Sequence, residues 1–404
     1  MIVLIINAGS SSLKYQLINM HPDAHDHDVM ASGVVERIGE SQGKLTHKKI
    51  SGQKNAKFIK EQQINDHGIA MHLAAGMLTD KDAGVISTIN EIDAVGHRVV
   101  QGGENFNASI LIDDDVKKAI RDNYPLAPLH NPPNLTGIEV AESLFPSIPN
   151  IAVFDTEFHQ TIPQKAFMYA LPYEFYEKFR VRRYGFHGTS HKFVSNSAAD
   201  LIKINKEELN LITVHLGNGC SICAIEKGRC VDTSMGMTPL AGVMMGTRTG
   251  DIDPAIQKYL IEYTNLNAEE LDNIFNKKSG LKGICGMNDM RDIHSAANRG
   301  NERAQLALEM FAYQVKKYIG AYVAVLGSVD GIIFTAGIGE NDTVTREMIC
   351  SNLTGLGIEI DPSRNSEVSS EPRAIHSGSS KVQVWVVPTN EELQIAREVV
   401  NCLY

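Results

Sequence analysis

Four side chains stand where their charge could be used on an anion: Arg98, Asp155, His187 and Arg248. Arg98 lies in Gly96-His97-Arg98-Val99-Val100-Gln101, just before the Gly102-Gly103 pair. An Arg at the end of a strand, before a glycine turn, can reach into a cleft; a surface ion pair is the equal alternative. Asp155 follows the apolar run Ile151-Ala152-Val153-Phe154. A carboxylate at the C-terminal end of a buried strand suits metal or phosphate chemistry in α/β proteins. His187 sits between Gly185-Phe186 and Gly188, close after Arg182 and Arg183. Arg248 is the central Arg of a long irregular stretch, 232–254, made mostly of small residues. Long segments of that kind inside compact proteins are usually functional.

Two glycine- and serine-rich turns could present backbone amides to phosphate oxygens. The first, Asn7-Ala8-Gly9-Ser10-Ser11-Ser12, joins the apolar run Ile2–Ile6 to Leu13–Ile18, where Leu13, Tyr15 and Leu17 alternate with Lys14 and Gln16. The second, Leu216-Gly217-Asn218-Gly219-Cys220-Ser221, joins Leu209–His215 to Ile222–Ile225. Strand, small polar turn and strand, met twice, mark an internal duplication whose halves each offer a hairpin to a shared cleft. A third device is Gly331–Phe334, a strand, then Thr335-Ala336-Gly337-Ile338-Gly339-Glu340-Asn341 and a helix from Thr343. Amides and a helix dipole there would face an anion. No Walker A sequence and no G-x-G-x-x-G occurs, so P-loop and Rossmann readings fail.

The elements that must carry these residues follow from periodicity. Val29 to Lys60 alternates as strands. Helical spacing covers His67–Leu78, Asp114–Asp122, Asn134–Leu144, Ala255–Tyr263, Ala268–Asn276 and Asn301–Leu326. Pro132 and Pro133 hold 127–134 as an extended loop, with Asn134 a cap for the next helix; Thr189 and Ser190 are good caps for a helix through Phe193 to Leu201. Val384–Val387 is a last strand, and Pro388-Thr389-Asn390-Glu391-Glu392 opens a final helix. His21, His25 and His27 cluster among Asp residues, but Pro22 makes this a solvated turn rather than a metal site.

At 404 residues the chain suits two domains. A net charge of −10 without a basic block argues against nucleic acid. No apolar stretch approaches the ~20 residues of a membrane span. The start has no basic segment or cleavage-like site, so it is not a signal peptide. Cys220 and Cys223 have C-x-x-C spacing, but on a strand they face opposite sides and no second pair accompanies them. Structural, reduced cysteines and a cytoplasmic location are expected.

Taken together the motifs resemble those of the acetokinase family: NAGSSSLK at Asn7–Lys14, GHRVV at Gly96–Val100, APLHNPPN at Ala127–Asn134, FDT at Phe154–Thr156, YGFHGTSH at Tyr184–His191, HLGNG at His215–Gly219, DTSMG at Asp232–Gly236, MMGTR at Met244–Arg248, FTAGIGEN at Phe334–Asn341 and PTNEE at Pro388–Glu392. They span the chain in family order. The resemblance implies an α/β, duplicated actin/hexokinase/Hsp70-like (ribonuclease H-like) fold of two domains with a cleft between them, 1–150 with 388–404 and 151–387. It implies an ATP:acetate phosphotransferase that reversibly forms acetyl phosphate and ADP, with Mg²⁺ as metal, Mn²⁺ as its substitute, and a homodimer. Asn7 and Glu391 would serve the metal, and Asp155, His187 and Arg248 would be catalytic. Arg98 and Lys14 would hold the substrate, with Val100, Leu129, Phe186 and Pro239 as the acyl pocket. His215, Leu216, Gly217, Asn218 and Gly219, then Asp289, Met290 and Arg291, then Gly337, Ile338, Gly339, Glu340 and Asn341 would contact nucleotide.

A carboxylate nucleophile is already ionised at neutral pH, so such an enzyme needs positive charge and positioning rather than a strong base. Asp155 would then position the metal or the Arg side chains. Glu157, Gln101, Ala241 and Thr249 depart from the family pattern. On a continuing strand Glu157 would share a side with Asp155; if the strand has ended it points elsewhere. A propionate or butyrate kinase is the neighbouring reading, with Val100 favouring a two-carbon acyl group. A non-catalytic nucleotide-binding protein of the same fold is the reading from another class.

Overall fold

β1 (Ile2–Ala8) and β2 (Ser12–Met20) form the expected hairpin, in antiparallel register from Ile2 opposite Asn19 to Ala8 opposite Leu13. Its turn closes through Gly9 N–H donating to Ser12 O at 2.8 Å. Leu13, Tyr15 and Leu17 are buried on one face, as their alternation requires. The Tyr15 ring lies across Gly33 of β3 (His27–Glu36), where a Cβ would stand 2.3 Å from the ring. Its hydroxyl meets His47 Nδ1 at 2.7 Å on β4 (Gly43–Ser51). A β-bound aromatic therefore fills the space that glycine leaves.

The computed structural model describes residues 1–21, 26–51 and 54–404. They fall into two compact units, Met1–Gln160 with Asn390–Tyr404, and Thr161–Thr389. Pro22 and His25 lie outside the described residues. His21 Nε2 meets Asp28 Oδ2 at 3.1 Å near the surface, and His27 opens β3.

The first unit adds β5 (Lys54–Gln62), β6 (Ala94–Val99), β7 (Ile110–Leu111) and β8 (Asn150–Phe154), giving the sheet order β5-β4-β3-β2-β1-β6-β8-β7. The second unit holds β9 (Asn210–Leu216), β10 (Cys220–Glu226), β11 (Arg229–Thr233), β12 (Gly331–Thr335), β13 (Arg373–Ala374) and β14 (Gln383–Val386), in the order β11-β10-β9-β12-β14-β13. The duplication is now visible as topology. β3-β2-β1 and β11-β10-β9 are antiparallel; β1-β6-β8 and β9-β12-β14 are parallel; β7 and β13 close each edge antiparallel. In each unit the strand that starts the hairpin is central, so its end and the turn after it are held on both sides.

Helices form where the apolar spacing places them: His67–Leu78, Asp114–Asp122 and Ala255–Tyr263 coincide with the expected spans. Glu302–Leu326, capped by Asn301, buries Leu308, Phe311, Val315, Ile319 and Tyr322 in the second unit. The C-terminal helix Glu391–Leu403 packs on β6 so closely that a Cβ on Gly96 would stand 2.7 Å from Val399. No helix among the described residues is long and apolar enough to cross a membrane.

Two local expectations are corrected and one open alternative is decided. The helix after the proline cluster begins at Asn131, with the prolines in its first turn, and Asn134 is a buried helix residue rather than a cap. Proline is tolerated there because first-turn N–H groups have no intrahelical partner. The helix Gly188–Ile202 starts after His187 in the left-handed region, so Thr189 and Ser190 are buried in its first turn and His187 holds the cap position. The β8 strand stops at Phe154 and Glu157 opens a 3₁₀ turn, Glu157–Thr161. Glu157 is therefore off the strand that would have aligned it with Asp155; it accepts from Ser109 Oγ at 3.0 Å.

Candidate active site

In the first unit, parallel β6 and β8 bring Arg98 beside Asp155. Arg98 donates from Nε to Asp155 Oδ1 at 3.0 Å and from Nη2 to Oδ2 at 2.5 Å, a two-pronged pair. Nη1 reaches Asn7 Oδ1 at 3.4 Å. Asp155 is buried and the Arg98 side chain is 20% exposed, so this is an internal pair and the surface alternative fails. Burial alone would lower the Arg98 pKa, but Asp155 and Glu391 outweigh it and hold the guanidinium above its ordinary value. Burial, with Asp155 and Glu392 nearby, pushes the Glu391 carboxyl up, against the pull of Arg98 and Lys14. Lys14 is exposed directly opposite Asn7 in the hairpin, so both project from one face.

Two asparagines missed as functional hold this geometry. Asn134 donates from Nδ2 to Ala8 O at 2.7 Å and accepts from Val100 N–H at 3.1 Å, tying the first hairpin to the end of β6. Asn131 accepts from Gln101 N–H at 3.1 Å and donates back to Gln101 O at 2.9 Å. The N-P-P-N spacing was their signal: i and i+3 on a helix share a face. Val100 and Gln101 are thereby buried, Gln101 turning its Oε1 to Gly103 N–H, while Leu129 is 58% exposed.

In the second unit, the other half of the expected residues converges on the β9–β10 tip. A Cβ on Gly219 would stand 3.3 Å from His187 Nε2 and 3.4 Å from Arg248 Nη1. A side chain at 219 would thus make both neighbours give by a few tenths of an ångström. His187 takes φ 57°, uncommon for a residue with a Cβ, which turns its ring back toward the hairpin. It stacks on His215 with centroids 4.2 Å apart, and its Nδ1 meets Ser221 Oγ at 2.8 Å. Arg248 lowers its pKa through burial, and no carboxylate among the described residues offsets this. Nη1 donates only weakly, to Pro239 O at 3.3 Å. A desolvated guanidinium kept clear of carboxylates is suited to an anionic ligand.

The irregular 232–254 segment is rigid because it is stapled at intervals. Met244 N–H donates to Gln314 Oε1 at 2.6 Å, Gly242 N–H to Asp251 Oδ1 at 2.8 Å, and Leu281 N–H to Met245 O at 2.9 Å. Gly280, at φ +61°, lies so near that a Cβ would be 2.1 Å from Met245 O. Arg183 gathers Thr233, Ser234 and Met235 carbonyls with one nitrogen at 2.7–3.0 Å. Phe186 is buried next to His187, and Pro239 is half-buried beside Arg248.

Of the expected nucleotide residues, Gly337–Asn341 form the body of a short helix, Ala336–Asn341, directly after β12. Buried Arg346 donates to Gly339 O and Glu340 O at 2.9 and 3.0 Å and so fixes the far end of that turn. Asp289 caps the helix Met290–Asn298 and pairs with exposed Arg291 at 2.6 Å, which keeps its carboxyl down at about 2. The cysteines do not converge as a C-x-x-C pair: Cys220 Sγ donates to Gly217 O, while Cys223 Sγ lies 3.3 Å from Cys230 Sγ.

Two repeats of one sheet topology, each with a glycine turn at its central strand, are the arrangement of the actin/hexokinase/Hsp70-like fold. The chain belongs to the acetokinase family, whose model matches residues 2–397. It is 56% identical over 402 residues, 99% of each chain, to the acetate kinase of Nitratidesulfovibrio vulgaris (strain DP4). Its structure is similar to that of Porphyromonas gingivalis acetate kinase, with TM-score 0.94, 44% identity and all of both chains covered. A propionate kinase from Francisella tularensis follows at TM-score 0.90 and 41% identity over 98% of both chains.

Proposed function

We propose that this enzyme transfers the γ-phosphoryl group of ATP reversibly to acetate, giving acetyl phosphate and ADP. The observation that carries the reading is that His187 Nε2 and Arg248 Nη1 both approach the Gly219 tip, 3.3 and 3.4 Å from where its Cβ would stand, with no carboxylate among the described residues spent on Arg248. An acetate oxygen attacks the γ-phosphorus as the bond to the β,γ-bridging oxygen breaks, and ADP leaves with that electron pair. No proton need be removed, because the attacking carboxylate is ionised. Arg98 holds the carboxylate; Asp155, two-pronged on Arg98, orients it. Arg248 and His187 take the charge on the equatorial oxygens, and Gly217–Gly219 and Gly337–Asn341 hold the nucleotide phosphates.

A hard divalent cation fits the first unit. Asn7 and Glu391 offer oxygen ligands; burial, with Asp155 and Glu392 nearby, raises the Glu391 carboxyl, so a cation there would favour its ionised form. Mg²⁺ there, or Mn²⁺ in its place, would neutralise phosphate charge. The family resemblance assigns Val100, which is buried, to the acyl pocket and so favours acetate over a longer acid; one methylene is worth about 1–3 kcal/mol. Hydroxylamine trapping of acyl phosphate across formate, acetate, propionate and butyrate tests this. A maximum at acetate that vanishes with chelator and returns with Mg²⁺ supports it; no product from any acid overturns it.

A homodimer belongs to the same reading. The helix Ala255–Tyr263 buries none of its residues and exposes Tyr259 and Tyr263 by 59% and 69%, a face suited to a second copy. A monomer in light scattering would refute that. All six cysteines are free thiols, which accords with a cytoplasmic location.

A further inference from the structure

His187 is the end of a chain of buried hydrogen bonds that runs into the second sheet. Its Nδ1 lies 2.8 Å from Ser221 Oγ; the same oxygen lies 2.7 Å from His191 Nε2; His191 Nδ1 lies 2.7 Å from Thr213 Oγ1. Ser221, His191 and Thr213 are each fully buried. β9 and β10 carry Thr213 and Ser221, and the helix Gly188–Ile202 carries His191 four residues after His187.

Each hydroxyl in this chain has one proton to give, and each neutral ring has one N–H and one lone pair. Among the described residues the Thr213 hydroxyl has His191 Nδ1 as its one partner, so its proton goes there. His191 then carries its own proton on Nε2 and donates to Ser221 Oγ. The Ser221 proton in turn has His187 Nδ1 as its acceptor. Running the chain in reverse, or placing a proton on both nitrogens of His187, strands the Thr213 donor in the sheet. Buried donors without acceptors are the costly arrangement.

We infer that Thr213, His191 and Ser221 are positioning residues that hold His187 as the neutral tautomer protonated on Nε2. His187 Nε2 and Arg248 Nη1 each approach the same hairpin tip, 3.3 and 3.4 Å from where a Cβ on Gly219 would stand. The inference rests on the phosphoryl-transfer reading for its purpose, although the proton arrangement stands without it.

The test is long-range ¹H–¹⁵N correlation on the full chain labelled with ¹⁵N-histidine, with His187 assigned through His187→Gln. The expected spectrum shows a protonated Nε2 and an unprotonated Nδ1 at His187. Thr213→Val keeps the side-chain shape, removes the first donor, and should mix the His187 tautomers; Thr213→Ser should restore the single form. Turnover of Thr213→Val should fall roughly 10–100-fold, the range for loss of an outer hydrogen-bond partner, with little change in KM for acetate. A His187 protonated on Nδ1 in the unaltered chain overturns the inference. So does a Thr213→Val variant with unchanged tautomer. If Thr213→Val fails to fold, the unaltered spectrum and Ser221→Ala decide in the same way. An Nε2–H form in a chain that makes no acyl phosphate would sink the proposed function and leave the relay standing.

Discussion

Replacing Arg248 by Ala separates catalysis from folding in a way the structure makes quantitative. In the folded chain the guanidinium is desolvated, pairs with no carboxylate among the described residues, and gives one long hydrogen bond to oxygen, 3.3 Å to Pro239 O, besides a weak one to Met245 Sδ at 3.8 Å. Losing that bond costs about 1 kcal/mol at most, and removing a buried uncompensated charge returns part of it. The midpoint of thermal unfolding should therefore move by only a few degrees. Catalysis should respond on another scale. An arginine that stabilises phosphoryl-transfer charge is worth roughly 10³–10⁵ in turnover, or about 4–7 kcal/mol. KM for acetate should change little, because the proposed reading gives the carboxylate to Arg98. The assay is hydroxylamine-trapped acyl phosphate at saturating ATP and acetate, with unfolding followed by circular dichroism on the same preparation. A rate within tenfold of the unaltered enzyme refutes the role. So does a loss of stability large enough to account for the lost activity.

The opposite balance is expected at Asp155. Asp155→Ala leaves Arg98 buried without its two-pronged partner, so stability should fall by about 3–5 kcal/mol in denaturant titration along with activity; an unchanged midpoint would contradict the pairing. Asn134→Ala removes the bridge from Ala8 O to Val100 N–H and should cost about 2–4 kcal/mol, whereas a cap mutation would cost about 1. Gly280→Ala drives a Cβ toward Met245 O and Arg248 O, 2.1 and 2.6 Å away at a positive φ, so turnover should drop although residue 280 touches no substrate; unaltered kinetics would show the loop is not held there. Burial lowers the pKa of His97 from 6.5 to about 4, against the hydrogen bond to Asn150. Above pH 6.5 it therefore has no effect, and as pH falls toward 4 the unfolded chain binds one more proton and stability drops by about 1.4 kcal/mol per pH unit. Stability curves of the unaltered chain and His97→Gln should diverge in that window; parallel curves would refute the assignment.

Much of this was legible in the chain itself. Hydrophobic alternation placed both hairpins, and the repeat of strand, small polar turn and strand announced a duplication that the two sheets express as one strand order. Periods of two and of three to four residues are local properties, so they survive without tertiary information. The family motifs named Arg98, Asp155, His187 and Arg248, since residue type at the end of a strand or beside glycine is also written locally. What had to wait for the fold were relations across distance. Glu157 left the line of Asp155 only because the strand stopped at Phe154. Asn134 looked like a cap because its neighbours are prolines; it is a bridge because Ala8 and Val100, far away in sequence, stand on either side of it. The chain from Thr213 through His191 and Ser221 to His187 was invisible as sequence. It exists only where two strands and a helix N-terminus set four polar side chains within hydrogen-bond reach in a dry interior, and there each proton's place is decided by all the others.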